Sequence, residues 1–256
     1  MDTGDCQRDR RESRAPEGHT FSEVTDKLVN TLVVGANTAT GARKADLLAH
    51  LGWAYFLKMR SGENGLQPEK LYEQAVTVDA TNPYAHVFWG HWILWSHGSM
   101  AKASEHFMTA LSAHRARKEV RHFQLAALEN AGSDADGAWV SVVNDMRKAG
   151  EPLDESTLRD LYSRYYSAVN DESQAMKLFA AVPPAEHLEL QRMLLAVAGD
   201  HEKLALNAMM AVTCEAAGQP DEALTAWRAV KAELGGSASP LGPRADAAIK
   251  RLAKSH

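Results

Sequence analysis

Four histidines lie close together in the sequence and raise the question of a metal site. His86, His91 and His97 share one short segment, and His106 follows it. Two metal ligands on one helix face need a spacing of about three or four residues, whereas these histidines are about five and six apart. On a helix, His86 and His91 would point about 140° apart. The spacing favours polar histidines at helix interfaces, and we expect no metal site.

The motifs that would support catalysis or nucleotide binding are incomplete. The segment VVGANTATGARK carries two glycines but lacks the Gly-Lys-Ser/Thr ending of a phosphate-binding loop. His201 and Glu202 begin like the helix of a zinc protease, but Ala205 stands where the second histidine is needed. Cys214 lies in an alanine-rich segment, where a small buried thiol is the usual role. We therefore expect no catalytic residue and no cofactor, and predict that the protein is not an enzyme.

The composition and charge of the chain limit the classes of partner that it is expected to bind and the cellular compartment in which it is expected to lie. The chain has 256 residues and a formal net charge of −5, which argues against a general surface for nucleic acid or for anionic membranes. No apolar run approaches the roughly 18 residues needed to span a bilayer. Residues 1–21 are polar and lack the apolar core of a secretory signal, so we expect a disordered tail and a cytoplasmic protein. The 2 cysteines lie far apart, which is consistent with a reducing compartment.

The segment 82–114 carries a regular pattern of small and large residues that indicates packed helices. Small residues allow two helix backbones to approach each other, and large apolar residues at helical spacing fill the groove between them. The small positions are Gly90, Gly98, Ala103 and Ala110, and the large ones are Trp89, Ile93 and Phe107. Strand-like alternation is nearly absent from the chain, so the sequence favours an all-α protein. A helical bundle without repeats is the alternative.

This pattern resembles the tetratricopeptide repeat family, whose unit is a pair of antiparallel helices in ~34 residues. The same pattern recurs around Gly52 and Tyr72, Tyr162 and Ala175, and Gly218 and Trp227. The resemblance implies a right-handed α-α superhelix, a solenoid of about eleven to thirteen helices, in which Gly90 faces Ala103 across a helix pair. It divides the chain into an N-terminal helix over 22–41, a repeat domain over 42–235 and a capping helix within 240–256. The repeat units would span 42–81, 82–116, 117–150 as a degenerate match, 155–184 and 204–235, with an extra helix inserted over 185–197.

The resemblance also places a set of aromatic side chains in a groove. In this family the first helix of each unit lines the concave face, which holds an extended peptide or a partner helix. Large aromatic side chains make good contact anchors because they bury much area with few rotatable bonds. Carried over position by position, the residues expected in the groove are Trp53, Phe56, Tyr84, His91 and Trp95. The alternative is that Trp53 and Trp95 pack beneath the N-terminal helix, which would then fill the groove.

These features predict a non-catalytic scaffold that binds a peptide or helix of a partner protein. Binding should concentrate in the N-terminal half, because the comparable positions of later units are more polar: Asp160, Arg164, Val212 and Glu215. An alternative function is an accessory or substrate-presenting domain of an enzyme system. Binding of single-stranded RNA is a more remote one, since the segment 146–184 also looks like a pentatricopeptide unit. The acidic charge of the chain argues against RNA, because RNA-binding grooves are basic.

Overall fold

A computed structural model describes residues 20–254, except for the side chain of His201. This part of the chain forms thirteen α-helices and one 3₁₀ turn, with no β-strand. The all-α prediction and the predicted number of helices are confirmed, while the right-handed superhelix stays a prediction. Within the same residues, no helix combines the length and the hydropathy needed to cross a bilayer. The helices fall into two compact units, and the division lies between Asn130 and Ala131.

The described part of the first unit contains six helices. They are α1 (Phe21–Thr38), α2 (Gly41–Arg60), α3 (Pro68–Val78), α4 (Pro83–Trp95), α5 (Met100–Ser112) and α6 (Arg117–Asn130). Pro68 and Pro83 occupy first-turn positions, where the missing N–H costs no hydrogen bond. Helix α2 packs against α1, α3 and α4, and α4 also packs against α5 and α6. Helices α2 and α4 are therefore the central elements of this unit.

Helix α1 corresponds to the helix predicted over 22–41. Its start is fixed by a capping box, a reciprocal pair of hydrogen bonds at the first turn. The Thr20 hydroxyl accepts from the backbone N–H of Glu23, and the Glu23 carboxylate accepts from the backbone N–H of Thr20. Thr20 and Phe21 therefore belong to the start of the helix rather than to the tail predicted over 1–21. The rest of that tail lies outside the described residues.

Two glycines set the closest helix contacts in the first unit. A Cβ added to Gly52 of α2 would lie 2.5 Å from the Tyr72 ring on α3, and one added to Gly90 of α4 would lie 2.7 Å from the Phe107 ring on α5. Both distances are well inside van der Waals contact, so only glycine lets these rings pack on the neighbouring backbone. The same contact thus recurs in two consecutive helix pairs. The ring of Phe107 is nearest to Gly90, one turn further along the buried face of α5 than Ala103, and the predicted contact of Gly90 with Ala103 stays a prediction.

The described part of the second unit contains seven helices. After a 3₁₀ turn (Ser133–Ala135) they are α7 (Asp136–Lys148), α8 (Glu155–Asn170), α9 (Glu172–Ala181), α10 (Pro184–Val197), α11 (Asp200–Ala216), α12 (Pro220–Leu234) and α13 (Leu241–Leu252). Helix α10 confirms that the residues predicted over 185–197 form a helix, while its place as an insertion between repeats stays a prediction. Helices α11 and α12 pack together as the pair predicted over 204–235, and α13 packs on α12. The helices of the degenerate unit predicted over 117–150, α6 and α7, belong to different compact units.

A buried hydrogen-bonded pair joins three helices of the second unit. The Tyr165 hydroxyl of α8 lies 2.8 Å from Nδ1 of His187 on α10, and Nε2 of His187 lies 3.1 Å from the carbonyl oxygen of Leu178 on α9. A carbonyl only accepts, so Nε2–H donates to Leu178 and Nδ1 accepts from the tyrosine. Burial lowers the pKa of His187, which keeps the ring neutral.

The glycine contact predicts a stability difference between two Gly→Ala variants. Gly90→Ala places a methyl group against the Phe107 ring, and we expect this overpacking to cost about 1–3 kcal/mol of unfolding free energy. Gly242 of α13 is the matched control, because a Cβ there meets only a Leu234 methyl at 4.0 Å. Gly242→Ala should be neutral or stabilising by up to about 1 kcal/mol, since alanine favours the helix. Urea denaturation measures both, and equal stabilities for the two variants would contradict the assigned packing.

Candidate functional site

The structure brings the five predicted groove residues together on α2 and α4. The ring centres of Trp53 and Phe56 are 4.8 Å apart, and His91 lies 5.0 Å from Trp53. Trp95 lies 5.3 Å from Phe56 in an edge-to-face arrangement. Tyr84 joins the group through Phe88, and further rings complete it. We call the eight residues the aromatic cluster: Trp53, Phe56, Tyr84, Phe88, His91, Trp92, Trp95 and Phe123.

Solvent exposure divides the five predicted residues into two groups. Phe56 is 1% exposed and His91 is 3% exposed, so both belong to the core of the unit and offer no area to a partner. Trp53 and Tyr84 are half-buried, and Trp95 is 38% exposed. The binding role of these residues stays a prediction, but its direct contacts are restricted to Trp53, Tyr84 and Trp95. Phe56 and His91 instead form the floor on which the exposed rings rest.

Helix α1 does not fill the region in front of Trp53. Leu32 of α1 packs in one buried group with Leu51 and Ala54 of α2, and Tyr55 lies against that group. Leu51 and Tyr55 are each two residues from Trp53, which places them about 160° away around the helix. The Trp53 ring contacts rings of α4 and α6 instead. The alternative in which α1 covers Trp53 is therefore wrong.

Four residues near the exposed rings were missed by the sequence reasoning, and the first, Phe88 of α4, stacks on Trp53 at 4.9 Å. Trp92 stacks on Trp95 at 5.2 Å, with 28° between the planes. Phe123 of α6 meets the rings of Trp53 and Phe88 at 5.0 and 4.9 Å. The Arg60 guanidinium lies 5.8 Å from the centre of Phe56. Trp92 could have been predicted from its position one turn before Trp95. Phe123 could not, because it lies in the segment that matches the repeat pattern least.

His91 is buried without a satisfied ring nitrogen. Neither Nδ1 nor Nε2 has a hydrogen-bond partner in good geometry among the described residues. Burial lowers the pKa of His91 to about 4, the backbone of Phe123 opposes part of this shift, and the positive charge of Arg60 adds to it. The ring is therefore neutral at pH 7 and serves as an aromatic filler between Trp53 and Phe56.

His86 and His106 form a pair at the packing of α4 on α5. Their Nδ1 atoms are 2.9 Å apart, and Nε2 of His86 lies 3.0 Å from the carbonyl oxygen of Ala80. His86 donates from Nε2, so its Nδ1 accepts from Nδ1–H of His106. Burial, and then the proximity of His86, lowers the pKa of His106 to about 4. No group of three or more metal-ligating side chains is assembled among the described residues.

The lowered pKa values predict that the protein loses stability as the pH falls. Between pH 6.5 and 4 the unfolded chain binds protons at His91 and His106 that the folded protein does not bind, so unfolding becomes easier. We expect His91→Phe to remove part of this loss, because phenylalanine fills the apolar site without titrating. Between pH 7 and pH 5 the unfolding free energy of the wild type should fall by about 1–2 kcal/mol more than that of the variant.

Urea denaturation of both proteins at the two pH values measures this difference. The carboxylates that also titrate are common to both proteins and cancel in the comparison. Equal losses of unfolding free energy in the wild type and the variant between pH 7 and pH 5 would contradict a neutral, buried His91.

Arg115 forms ion pairs beside Tyr84, at one end of the aromatic cluster. Its two terminal nitrogens lie 2.9 and 3.2 Å from the two carboxylate oxygens of Asp46, and one lies 3.7 Å from Asp79. Its guanidinium also lies 5.7 Å from the centre of the Tyr84 ring. The residue that follows, Ala116, has a φ of 54°, a left-handed conformation that costs alanine about 1–2 kcal/mol. The charge of Arg115 is therefore paired within the protein, and the backbone that follows it is strained.

The second unit contains a different concave region, a cavity of about 530 Å³. Its walls are formed by α9, α11 and α13, with Trp227 of α12 among them. The Glu215 carboxylate accepts from Nε1 of Trp227 at 2.7 Å and from Arg251. Val212 and Glu215 line this cavity, whereas Arg164 packs 3.9 Å above the Trp139 ring and pairs with Asp136. In the lining of the cavity, Glu215 is thus paired with Arg251, and Arg244 donates to the carbonyl oxygen of Val169.

No model of a known protein family matches the sequence, and no curated protein matches it significantly. Function is therefore inferred from the geometry of the molecule.

Proposed function

We propose that the protein is a non-catalytic, tetratricopeptide-like scaffold that binds a peptide or helix of a partner protein on the aromatic cluster. The observation that carries this proposal is the setting of Trp95. Its indole is partly exposed, stacks on Trp92 and rests edge-on against the buried ring of Phe56. A partly exposed tryptophan that is held in place by other rings is the kind of side chain that anchors protein interfaces.

The cluster suits binding because its exposed rings are already held in place. Trp53 is fixed by Phe56, Phe88, His91 and Phe123, and Trp95 by Trp92 and Phe56. A partner that covers them therefore pays little in lost side-chain freedom and gains the burial of large apolar area. Tryptophan and tyrosine on a rigid base are the residue types that dominate measured binding energies at interfaces.

The alternative of an accessory or substrate-presenting domain would place its site in the cavity of the second unit. Titratable groups with lowered pKa values in a cleft would favour that alternative. The histidines whose pKa values are lowered, His91, His106 and His187, lie in helix packing and do not line the cavity. This distribution favours the scaffold proposal.

Trp95→Ala should weaken binding without unfolding the protein. Peptides selected on the full-length protein from a displayed random library serve as ligands, and fluorescence anisotropy gives their affinities. We expect a loss of about 1–3 kcal/mol, or roughly tenfold or more in Kd. The melting temperature should shift by only a few degrees, because the side chain is partly exposed.

The matched control is Tyr166→Ala, which removes an aromatic side chain that is 55% exposed on α8 in the second unit. It should leave the affinity unchanged. Equal affinities for wild type and Trp95→Ala would move the site elsewhere. A collapse of the melting temperature in Trp95→Ala would instead assign this tryptophan to the core.

A further inference from the structure

We propose that the aromatic cluster selects a segment that is both apolar and acidic: a large apolar side chain covers Trp95, and a neighbouring carboxylate pairs with Arg60. The inference rests on the proposed binding function and specifies the chemistry of the partner. It follows from the position of Arg60, the last residue of α2, at the edge of the exposed rings.

Arg60 lies beside the exposed part of the cluster. Its guanidinium is 5.8 Å from the centre of Phe56, and the same ring centre is 5.3 Å from Trp95. Arg60 is exposed to solvent, and no carboxylate among residues 20–254 lies within ion-pair distance of it. Its charge is therefore accessible to a bound partner.

Two other cations of the first unit, Lys58 and Arg115, are already paired with carboxylates. Lys58, two residues before Arg60, pairs with Asp26 at 2.5 Å and with Glu63 at 2.9 Å. Arg115 pairs with Asp46 at the opposite end of the cluster. Arg60 thus leaves one positive charge next to the rings without a matching negative charge among residues 20–254, and a partner that supplies a carboxylate completes the pairing.

The same charge disfavours the other ligands that aromatic rings attract. Rings such as Trp95 and Trp92 would otherwise bind a cationic group over their faces. Arg60 repels such a group, and its field reaches the interior of the cluster, because it contributes to the lowered pKa of His91. A basic or methylated lysine-containing segment is therefore a poor fit, and an acidic one is a good fit.

The distances also limit the spacing within the partner. Arg60 and Trp95 each lie within 6 Å of the centre of Phe56, so they are at most about 11 Å apart. On a helical partner, with a rise of about 1.5 Å per residue, this corresponds to a carboxylate no more than about two turns from the apolar anchor. The expected motif is an aromatic or large aliphatic residue with Asp or Glu within about seven residues of it.

A displayed library of random peptides of about 12 residues, enough for three helical turns, tests the proposal. It is selected in parallel on four full-length proteins: the wild type, Arg60→Glu, Trp95→Ala and Arg228→Glu. Arg228 is the matched control, since it is an exposed arginine on α12 in the second unit. Fluorescence anisotropy then measures the affinity of the best wild-type peptide and of its Glu→Lys counterpart for each protein.

We expect acidic, apolar peptides to be enriched on the wild type and on Arg228→Glu. Arg60→Glu should weaken the acidic peptide by roughly tenfold and bind the Glu→Lys peptide better than the wild type does. Peptides that need Trp95 but show no acidic preference, or no response to Arg60→Glu, would overturn the inference and leave the proposed function standing. Peptides whose affinity is unchanged for Trp95→Ala, or a selection with no enrichment above background, would overturn both the inference and the proposed function.

Discussion

The first unit depends on one steric condition, the contact of an aromatic ring with a glycine backbone. Tyr72 lies on Gly52 and Phe107 lies on Gly90, so both helix pairs approach closely at a glycine. This closeness fixes how α2 and α4 are rotated, and that rotation decides which side chains meet between them. The same packing leaves the Tyr72 hydroxyl in the core without a hydrogen-bond partner among the described residues, an arrangement that costs about 1–3 kcal/mol.

The aromatic cluster contains both buried and exposed rings, and each group affects the properties of the other. Phe56 and His91 are buried beneath Trp53 and Trp95 and give them a rigid base. In return, the exposed rings shield His91 from water and keep it neutral. A surface built in this way is pre-organised, because the interactions that stabilise the unit also orient its exposed rings.

The sequence was sufficient for the helices and insufficient for the exposure of individual residues. The alternation of small and large residues predicted the pairs around Gly52 and Gly90, and the gap between repeats predicted α10. It also brought Trp53, Phe56, Tyr84, His91 and Trp95 onto one side of α2 and α4. It did not separate the buried members from the exposed ones, because burial depends on helices that pack from elsewhere in the chain. Phe123 covers Trp53 from α6, a helix in the segment that matches the repeat pattern least. The setting of Arg60 could not be predicted either, because the lack of a carboxylate beside it in the described part of the chain depends on its spatial neighbours.

The ring-on-glycine contact also has a consequence for motion. An aromatic ring can turn about its axis only when the surrounding atoms give way, and close-packed interiors leave little room for this. The rings of Tyr72 and Phe107 lie directly against the backbone of a neighbouring helix, so a half-turn of either ring requires the two helices to separate briefly. The flipping rate of each ring therefore reports how often its own helix pair opens. Each of these two helix pairs thus contains a ring whose flipping rate measures how often that pair opens.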